Sequence, residues 1–304
     1  MRITSISLGS PEGDYEFSIA TERYTFMVQR IGTNGSVQKF KELLRYYDGK
    51  SDVISFGGIN FSYILGSRQY PLPLAQELKA VVQESPVVDG SLYKNWIEPY
   101  MVDQLFRTGI IRAGQRVLLA SVLDRFHLGR ALEDKGLMVE VGDPFFALGL
   151  PVTFSNLGSF ELVARLTLPV LRHIPLSFLY PLGEKQLDSF QKYPHIYHRN
   201  NFVAGDYHFI RKYLPKRLKG QGFLVSTIRK SGVEELVDRG ARVIISLAPK
   251  VEGVTLGANL WDGIFFLLAR KLNLRDMPED WVKIAEMNDW RSDVLYSNLE
   301  GWEK

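Results

Sequence analysis

Residues 115–144 constrain the fold of this chain more than any other stretch, because they combine two strand patterns with one helix pattern. Residues 117–120 form a short apolar run that is typical of a buried strand. Apolar side chains then recur at helical spacing through residues 126–132, and Gly136 is placed to end that helix. Residues 137–141 form a second strand pattern. A strand, a helix and a second strand in this order predict a βαβ unit of a parallel sheet.

The turn and the second strand end of this unit predict a dinucleotide site. Asp143 follows the second strand at the position where dinucleotide-binding folds hold the adenosine ribose. Because a carboxylate repels the 2′-phosphate of NADP, Asp143 favours NAD. The turn lacks the G-x-G-x-x-G pattern that lets the backbone approach a pyrophosphate, so the alternative is a doubly wound domain that has lost its phosphate loop. The predicted cofactor-binding residues are Ser121, Val122, Leu123, Asp124, Arg125, Asp143, Thr227 and Ala248.

Composition narrows the class of protein. The chain has 304 residues, of which 45% are hydrophobic and 23% charged, as expected for a globular protein. A formal net charge of +3 is too small to predict a nucleic-acid partner. There is no cysteine, which excludes disulfides, thiolate metal sites and a cysteine nucleophile, and the histidines lack metal-ligand spacing. Without a signal peptide or membrane-spanning pattern, we expect a cytoplasmic protein with no membrane partner.

Strand and helix patterns alternate along the chain, which predicts two α/β domains with a cleft between them, the C-terminal one Rossmann-like and doubly wound. We expect an N-terminal substrate-type domain over residues 1–110. A nucleotide-binding domain is predicted over residues 111–258, with a Pro- and Leu-rich insert at residues 144–201. Residues 259–304 are predicted to form a helix and tail that pack back on the first domain.

Polar residues at predicted strand ends suggest where a substrate binds. In an open α/β sheet, ligands bind at the carboxyl ends of the strands. The alternative is structural, because glycine and aspartate also serve as ordinary turn and capping residues. The predicted substrate-binding residues are Ser10, Asn60, Ser91, Asn259 and Asp262.

Lys94 is the leading candidate for acid–base chemistry. It lies one helical turn beyond a strand end, where partial burial would lower its pKa and let it carry a proton. Asp89 and Asp124 are the two carboxylates predicted to hold it, and a plain surface lysine is the alternative. His208 is a second candidate, because a neutral imidazole titrates near pH 7.

Short motifs that carry a family resemblance extend over nearly the whole chain. They are SLGS at 7–10, FGGI at 56–59, PVVDGS at 86–91 followed by Lys94, DRF at 124–126, GLP at 149–151, YPLGEKQ at 180–186 and AGDYH at 204–208. On these motifs the sequence resembles bacterial proteins described as quinate/shikimate 5-dehydrogenase-like. The resemblance implies an N-terminal substrate domain, a C-terminal Rossmann domain, a nicotinamide cofactor between them and a final helix that returns to the first domain.

Two catalytic motifs of shikimate dehydrogenases, N-x-T-x-P-x-K and N-T-D, are absent from the sequence. Lys94 is the nearest analogue of the family's catalytic lysine, and Asp89 or Asp124 is the nearest analogue of its aspartate.

Three hypotheses of function follow from these features. The first is an NAD-dependent oxidoreductase that acts on a small hydroxyl or carbonyl compound, with Lys94 as the acid–base group. The second is a non-catalytic metabolite- or nucleotide-binding protein with a degenerate Rossmann loop. The third is a transferase that uses the same crevice for another nucleotide-like cofactor. In each case the predicted partner is a small molecule, and a homodimer stays open.

Overall fold

The structure of the protein is a computed structural model that describes residues 1–174, 192–251 and 254–298. Its strands are β1 (Arg2–Ser7), β2 (Tyr15–Ala20), β3 (Thr25–Gly32), β4 (Val53–Gly57), β5 (Ser62–Leu65), β6 (Arg68–Pro71), β7 (Val87–Val88), β8 (Arg116–Leu119), β9 (Met138–Val141), β10 (Phe202–Gly205), β11 (Gly222–Val225), β12 (Val243–Ser246), β13 (Lys250–Val251), β14 (Val254–Thr255) and β15 (Asp293–Ser297).

Helices alternate with most of these strands. The α-helices are α1 (Val37–Tyr47), α2 (Pro73–Lys79), α3 (Glu98–Arg107), α4 (Phe126–Asp134), α5 (Asp143–Leu148), α6 (Leu157–Leu171), α7 (Pro194–His198), α8 (Tyr207–Lys212), α9 (Lys230–Asp238), α10 (Ala258–Lys271) and α11 (Pro278–Met287). A 3₁₀ turn at Pro11–Gly13 and a π-helix at Tyr93–Ile97 complete the described elements.

The chain divides into two α/β units, which confirms the predicted fold class. Unit 1 takes in the described residues of Met1–Ile97, Arg165–Gln186 and Gly257–Trp290, and unit 2 those of Glu98–Ala164, Leu187–Leu256 and Arg291–Lys304.

Unit 1 is built on a five-stranded sheet in the order β2-β3-β1-β4-β7. Every pairing in it is parallel except that of β2 with β3. Because side chains alternate along a strand, Ile6 and Ile54 face one side, where they pack with Phe40 of α1. On the opposite face, Ile3 and Val53 approach α10 at Gly263. Helices therefore cover both faces of this sheet.

Unit 2 is built on a six-stranded sheet in the order β15-β12-β11-β10-β8-β9. Strands β8 to β12 are parallel, and β15 runs antiparallel along β12. Leu118 packs on one face in a cluster with Phe146 of α5 and Leu236 of α9. Leu119 points to the other face, where α4 comes so close that only Gly129 fits. This arrangement is the Rossmann-like, doubly wound one.

Two details of domain organisation differ from the sequence analysis. The division falls between Ile97 and Glu98, earlier than the predicted boundary at 110/111, because α3 packs on α4 of unit 2. Of the predicted C-terminal segment, α10 and α11 belong to unit 1, whereas β15 extends the sheet of unit 2. The YPLGEKQ motif at 180–186 and part of the insert at 144–201 lie outside the described residues.

In residues 1–174, 192–251 and 254–298, no helix combines the length and the apolar character needed to cross a bilayer.

Candidate functional site

The carboxyl end of β7 in unit 1 brings together some of the predicted substrate and acid–base residues, but not Ser10, Asp124 or His208. Strand β7 ends at Val88, and the loop Asp89-Gly90-Ser91 leads into the π-helix that carries Lys94. A π-helix is rare, and it is found mostly as single turns near functional sites. We define the Lys94 cluster as five residues that this loop brings together: Asn60, Asp89, Ser91, Lys94 and Asp262.

Asp89 fixes the conformation of the loop. Its Oδ1 accepts a hydrogen bond from the Ser91 backbone N–H at 3.0 Å, and its Oδ2 accepts one from the Ser91 hydroxyl at 2.8 Å. Oδ2 also accepts the backbone N–H of Phe61, which ties the loop to the segment after β4. The carboxylate is therefore held on both of its oxygens, and its residue is buried.

Lys94 is buried, with 8% of its surface exposed. Its Nζ donates a hydrogen bond to Asn60 Oδ1 at 2.9 Å. A lysine so deeply enclosed is unusual, because removing an ammonium group from water is costly unless it is paired or hydrogen-bonded. Asn60 and Ser91 keep part of their surface exposed, so the cluster has polar groups that face outward.

Asp262 is the most deeply buried acid of the cluster. It lies on α10, is 1% exposed, and accepts the backbone N–H of Gly90 on Oδ2 at 2.7 Å. Its Oδ1 has no hydrogen-bond partner among the described residues. The pKa of Asp262 is raised to about 8, mainly by burial and also by the Asp89 carboxylate, while Lys94 opposes the rise. Asp262 is therefore largely protonated at neutral pH.

Asn259, the other predicted substrate residue on α10, is engaged with the sheet. Its Nδ2 donates to the hydroxyls of Ser5 on β1 and Ser55 on β4, at 2.8 Å each. The Ser55 hydroxyl in turn donates to the backbone carbonyl of Asn259 at 2.6 Å. These contacts fasten the first turn of α10 to the two central strands, and they place Asp262 one turn further along that helix.

The predicted cofactor turn lies in unit 2, at the carboxyl end of β8. Asp143 follows β9 and reaches this turn, where Oδ2 accepts the backbone N–H of Val122 at 2.8 Å and Oδ1 accepts that of Leu123 at 3.2 Å. The residue keeps some exposed surface, but its carboxyl group is enclosed. The pKa of Asp143 is raised to about 6, mainly by burial and also by nearby Asp124, against the lowering effect of the two amides.

Arg125, the last residue of this turn, is buried in a network of polar contacts. It is 2% exposed, and its Nε lies 3.2 Å from Glu98 Oε2 and donates to the Ser226 hydroxyl at 2.8 Å. The Ser226 hydroxyl donates to Glu98 Oε1 at 2.7 Å, and an Arg125 guanidinium nitrogen lies 2.6 Å from Asp124 Oδ2. The ends of β8 and β11 are thus joined by a buried ionic network.

The residues at this turn do not fit the pyrophosphate of a dinucleotide. In nucleotide-binding folds the backbone N–H groups after the first strand are left for phosphate oxygens. Here the N–H groups of Val122 and Leu123 are already bonded to Asp143. The Ser121 hydroxyl is directed at its neighbour's carbonyl, 2.6 Å from the oxygen of Ala120.

The other predicted site residues take local structural positions. The Ser10 hydroxyl caps the 3₁₀ turn by accepting the Glu12 N–H, and the His208 N–H donates to the Asp206 side chain that caps α8. The hydroxyl of Ser246 bonds to both the N–H and the carbonyl of Ala248. Thr227 is half-buried directly after Ser226.

Glu98 and Ser226 were missed by the sequence analysis, although one signal pointed to the first. Glu98 precedes Met101, Val102 and Leu105 at spacings that put all four on the buried face of α3. A carboxylate on an apolar helical face predicts a buried partner. Ser226 had no comparable signal, because a serine at a strand end is common.

Two families of protein domains match this chain. The family described as Domain of unknown function (DUF8754) matches residues 92–297, which is more than half of the chain. The chain belongs to this family. A second family, described as Domain of unknown function (DUF8753), matches residues 2–89, so the two matches meet at the loop of the Lys94 cluster. The comparison with curated proteins found no match.

Solved structures share a general similarity with the chain. An ABC transporter solute-binding protein from Burkholderia multivorans is 9% identical, with a TM-score of 0.36 over 90% of this chain and 94% of that one. Hetero-hexameric glutamate dehydrogenase from Thermus thermophilus is 12% identical, with a TM-score of 0.44 over 94% and 73%. L-tryptophan dehydrogenase from Nostoc punctiforme is 12% identical, with a TM-score of 0.36 over 95% and 79%. Similarities at these TM-scores carry no functional information.

Proposed function

We propose that the protein binds a small hydroxyl or carbonyl compound at the Lys94 cluster and transfers a proton there. The observation that carries this proposal is a buried lysine, hydrogen-bonded to Asn60, beside a carboxyl group that is protonated at neutral pH. Ionisable groups with strongly shifted pKa values concentrate at functional sites, because proton transfer needs groups whose pKa lies near the working pH.

Each residue of the cluster has a distinct part in the proposed chemistry. The Lys94 ammonium group would donate a proton to a carbonyl oxygen and become a neutral amine, and in the reverse direction the neutral amine would accept the proton of a hydroxyl group. Asn60 orients the ammonium group through its side-chain oxygen. Asp262 acts as a positioning residue, because its side chain holds the loop by accepting the Gly90 N–H. In its protonated form it carries no charge that would neutralise the Lys94 ammonium group.

Of the two carboxylates predicted to pair with Lys94, only Asp89 lies in the same unit as Lys94, and it raises the pKa of Asp262. Asp124 belongs to unit 2, where its side chain is bonded to Arg125. In this proposal burial is the main reason that Asp262 stays protonated, and the negative charge of Asp89 adds to that effect.

The NAD-dependent oxidoreductase stays a prediction, as does the resemblance to quinate/shikimate 5-dehydrogenase-like proteins. The parallel order of strands β8 to β12 is the one in which such a cofactor binds. The turn after β8, however, is occupied by Asp143, and no step of the proposed proton transfer needs a nicotinamide. Titration with NADH and NADPH, followed by cofactor fluorescence, tests the prediction directly.

A non-catalytic metabolite-binding protein is the second candidate. It is supported by the turn after β8, which Asp143 occupies, since a protein that has lost its phosphate site could still bind a ligand without redox chemistry. Turnover distinguishes the two candidates. Proton transfer at the Lys94 cluster would give a product at a pH-dependent rate, whereas a non-catalytic binding protein would give no product.

The test is a thermal-shift screen of small polyols, hydroxy acids and keto acids against the wild-type protein, Lys94→Met and Lys283→Met. Lys283 is an exposed lysine of the same unit and serves as the matched control. We expect a compound that raises the melting midpoint of the wild type and of Lys283→Met but not of Lys94→Met. An equal shift in all three proteins would place the ligand elsewhere and overturn the proposal.

A further inference from the structure

The two oxygens of the Asp143 carboxylate meet two successive backbone N–H groups, those of Val122 and Leu123, at 2.8 and 3.2 Å. We infer that the turn after β8 is an anion cradle that the chain fills with its own carboxylate. Successive N–H groups that converge on one point form an anion-binding concavity of the kind that holds phosphate groups. Here the anion is Asp143.

The backbone around the turn is shaped for this contact. Ser121, directly before the two amides, has a φ of +57°, in the left-handed region that non-glycine residues seldom adopt. Asp143 is the first residue of α5, so its side chain is set at the end of β9, the strand next to β8. The neighbouring strand end thus supplies the charge that a bound phosphate supplies in nucleotide-binding folds.

An occupied cradle excludes a second anion. A phosphate at this turn would have to displace a carboxylate that is bonded to both amides, and it would meet the negative charges of Asp143 and Asp124. The wild-type protein should therefore bind neither inorganic phosphate nor the pyrophosphate of a dinucleotide at this turn. Removal of the Asp143 carboxylate should open the cradle to both.

The test uses the full chain and the variant Asp143→Ala, with inorganic phosphate as the probe. Removing the carboxylate leaves two backbone N–H groups without an acceptor, and a phosphate ion can replace it. We expect the melting midpoint of Asp143→Ala to rise by roughly 2–8 °C at saturating phosphate, and that of the wild type to stay unchanged. A parallel titration with ADP separates a site for free phosphate from one that also accepts a nucleotide.

Asp206→Ala is the matched control. Asp206 also follows a strand of unit 2, but its side chain caps a helix by accepting the His208 N–H at 2.8 Å and does not meet two successive N–H groups as Asp143 does. Its loss should destabilise the protein without creating a phosphate response. Potassium chloride at equal ionic strength controls for general salt effects.

A variant that keeps the side-chain volume guards against a failure of Asp143→Ala to fold. Asp143→Asn removes the charge and retains one acceptor, so it should show a smaller phosphate response of the same sign. Phosphate should also shift the amide resonances of Val122 and Leu123 in the responding variant.

The inference is overturned if the wild type responds to phosphate as strongly as the variants do. It is equally overturned if neither Asp143 variant responds more than Asp206→Ala does. These outcomes do not involve the Lys94 cluster, so they leave the proposed function untouched.

Discussion

The carboxyl group of Asp262 accepts a hydrogen bond from the backbone N–H of Gly90, and 172 positions of sequence separate the two residues. The contact joins α10 to the loop after β7, directly before the π-helix that carries Lys94. It holds the loop that leads to Lys94, and because burial raises the pKa of Asp262, we expect titration of this residue to make the stability of the protein depend on pH.

Replacing Asp262 with asparagine should flatten the pH dependence of stability above neutrality. The pKa of Asp262 is raised from 3.8 to about 8 in the folded chain. Between these values the folded chain holds a proton that the unfolded chain has lost, so the free energy of unfolding should fall by up to about 1.4 kcal/mol per pH unit, with about half of that slope left at pH 8. Urea unfolding between roughly pH 7 and pH 8 measures this slope.

The chosen window separates Asp262 from other titrating groups. Asp143 has a pKa of about 6 and contributes below the window, and the pKa of His127 is lowered from 6.5 by burial and by Arg130. Asp276→Asn, a change at an exposed aspartate of the same unit, should keep the wild-type slope. An unchanged slope in Asp262→Asn would contradict the assignment.

Alanine at Gly90 should destabilise the protein by more than backbone strain alone. Gly90 has a φ of +90°, and a Cβ there would lie 2.7 Å from the backbone nitrogen of Asn259. Strain at positive φ costs on the order of 1–3 kcal/mol for a non-glycine residue, and the backbone contact adds to it. Gly114→Ala is the control, since Gly114 has a φ of +80° with nothing within 4 Å. Equal losses in urea unfolding would show that the contact with α10 is unimportant.

Loss of Arg125 should strongly lower the free energy of unfolding, because it leaves a buried charge without its ion-pair partner. Arg125→Met leaves the Glu98 carboxylate, which is 0% exposed, without its guanidinium partner. Breaking a buried pair from one side typically costs about 3–5 kcal/mol. The double variant Glu98→Gln/Arg125→Met should regain part of that loss. Arg130→Met, which removes an exposed pair with Glu133, should change the unfolding free energy by less than about 1 kcal/mol.

Glu140 should stabilise unit 2 at neutral pH and lose this effect in acid. It accepts hydrogen bonds from Arg199, Thr153 and Asn200, and although burial opposes them, these contacts hold its pKa below the ordinary 4.5. A lowered pKa means that the contribution is present above 4.5 and disappears as pH falls through the folded value. Glu140→Gln should therefore be less stable than wild type by roughly 2–3 kcal/mol at pH 7. The gap should close in acid, and a pH-independent gap would refute the charge argument.

Local patterns in the sequence predicted the strands and helix of the β8–α4–β9 unit, but not α5, which begins at Asp143. Short apolar runs followed by glycine and polar residues marked the strand ends at Asp89, Asp143 and Asp206, since buried strands and their turns have distinctive compositions. The βαβ unit of residues 115–144 forms as predicted, with β8, α4 and β9 inside it. Asn60 and Lys94 were predicted to follow two different strand ends, and Asp262 to lie in the C-terminal segment, so their meeting at one place was not predicted.

Only the tertiary structure decided which of these polar groups bond to one another. The sequence placed Asp143 at a strand end, but its direction depended on the spacing of two neighbouring strands and on the backbone at Ser121, which together turn the carboxylate onto the amides of the β8 turn. The pairing of Asp262 with Gly90 depended in the same way on how α10 returns to the sheet. Hydrophobic periodicity is local and can be recognised within a dozen residues. Hydrogen-bond partners are chosen by three-dimensional proximity, which no spacing along the chain records.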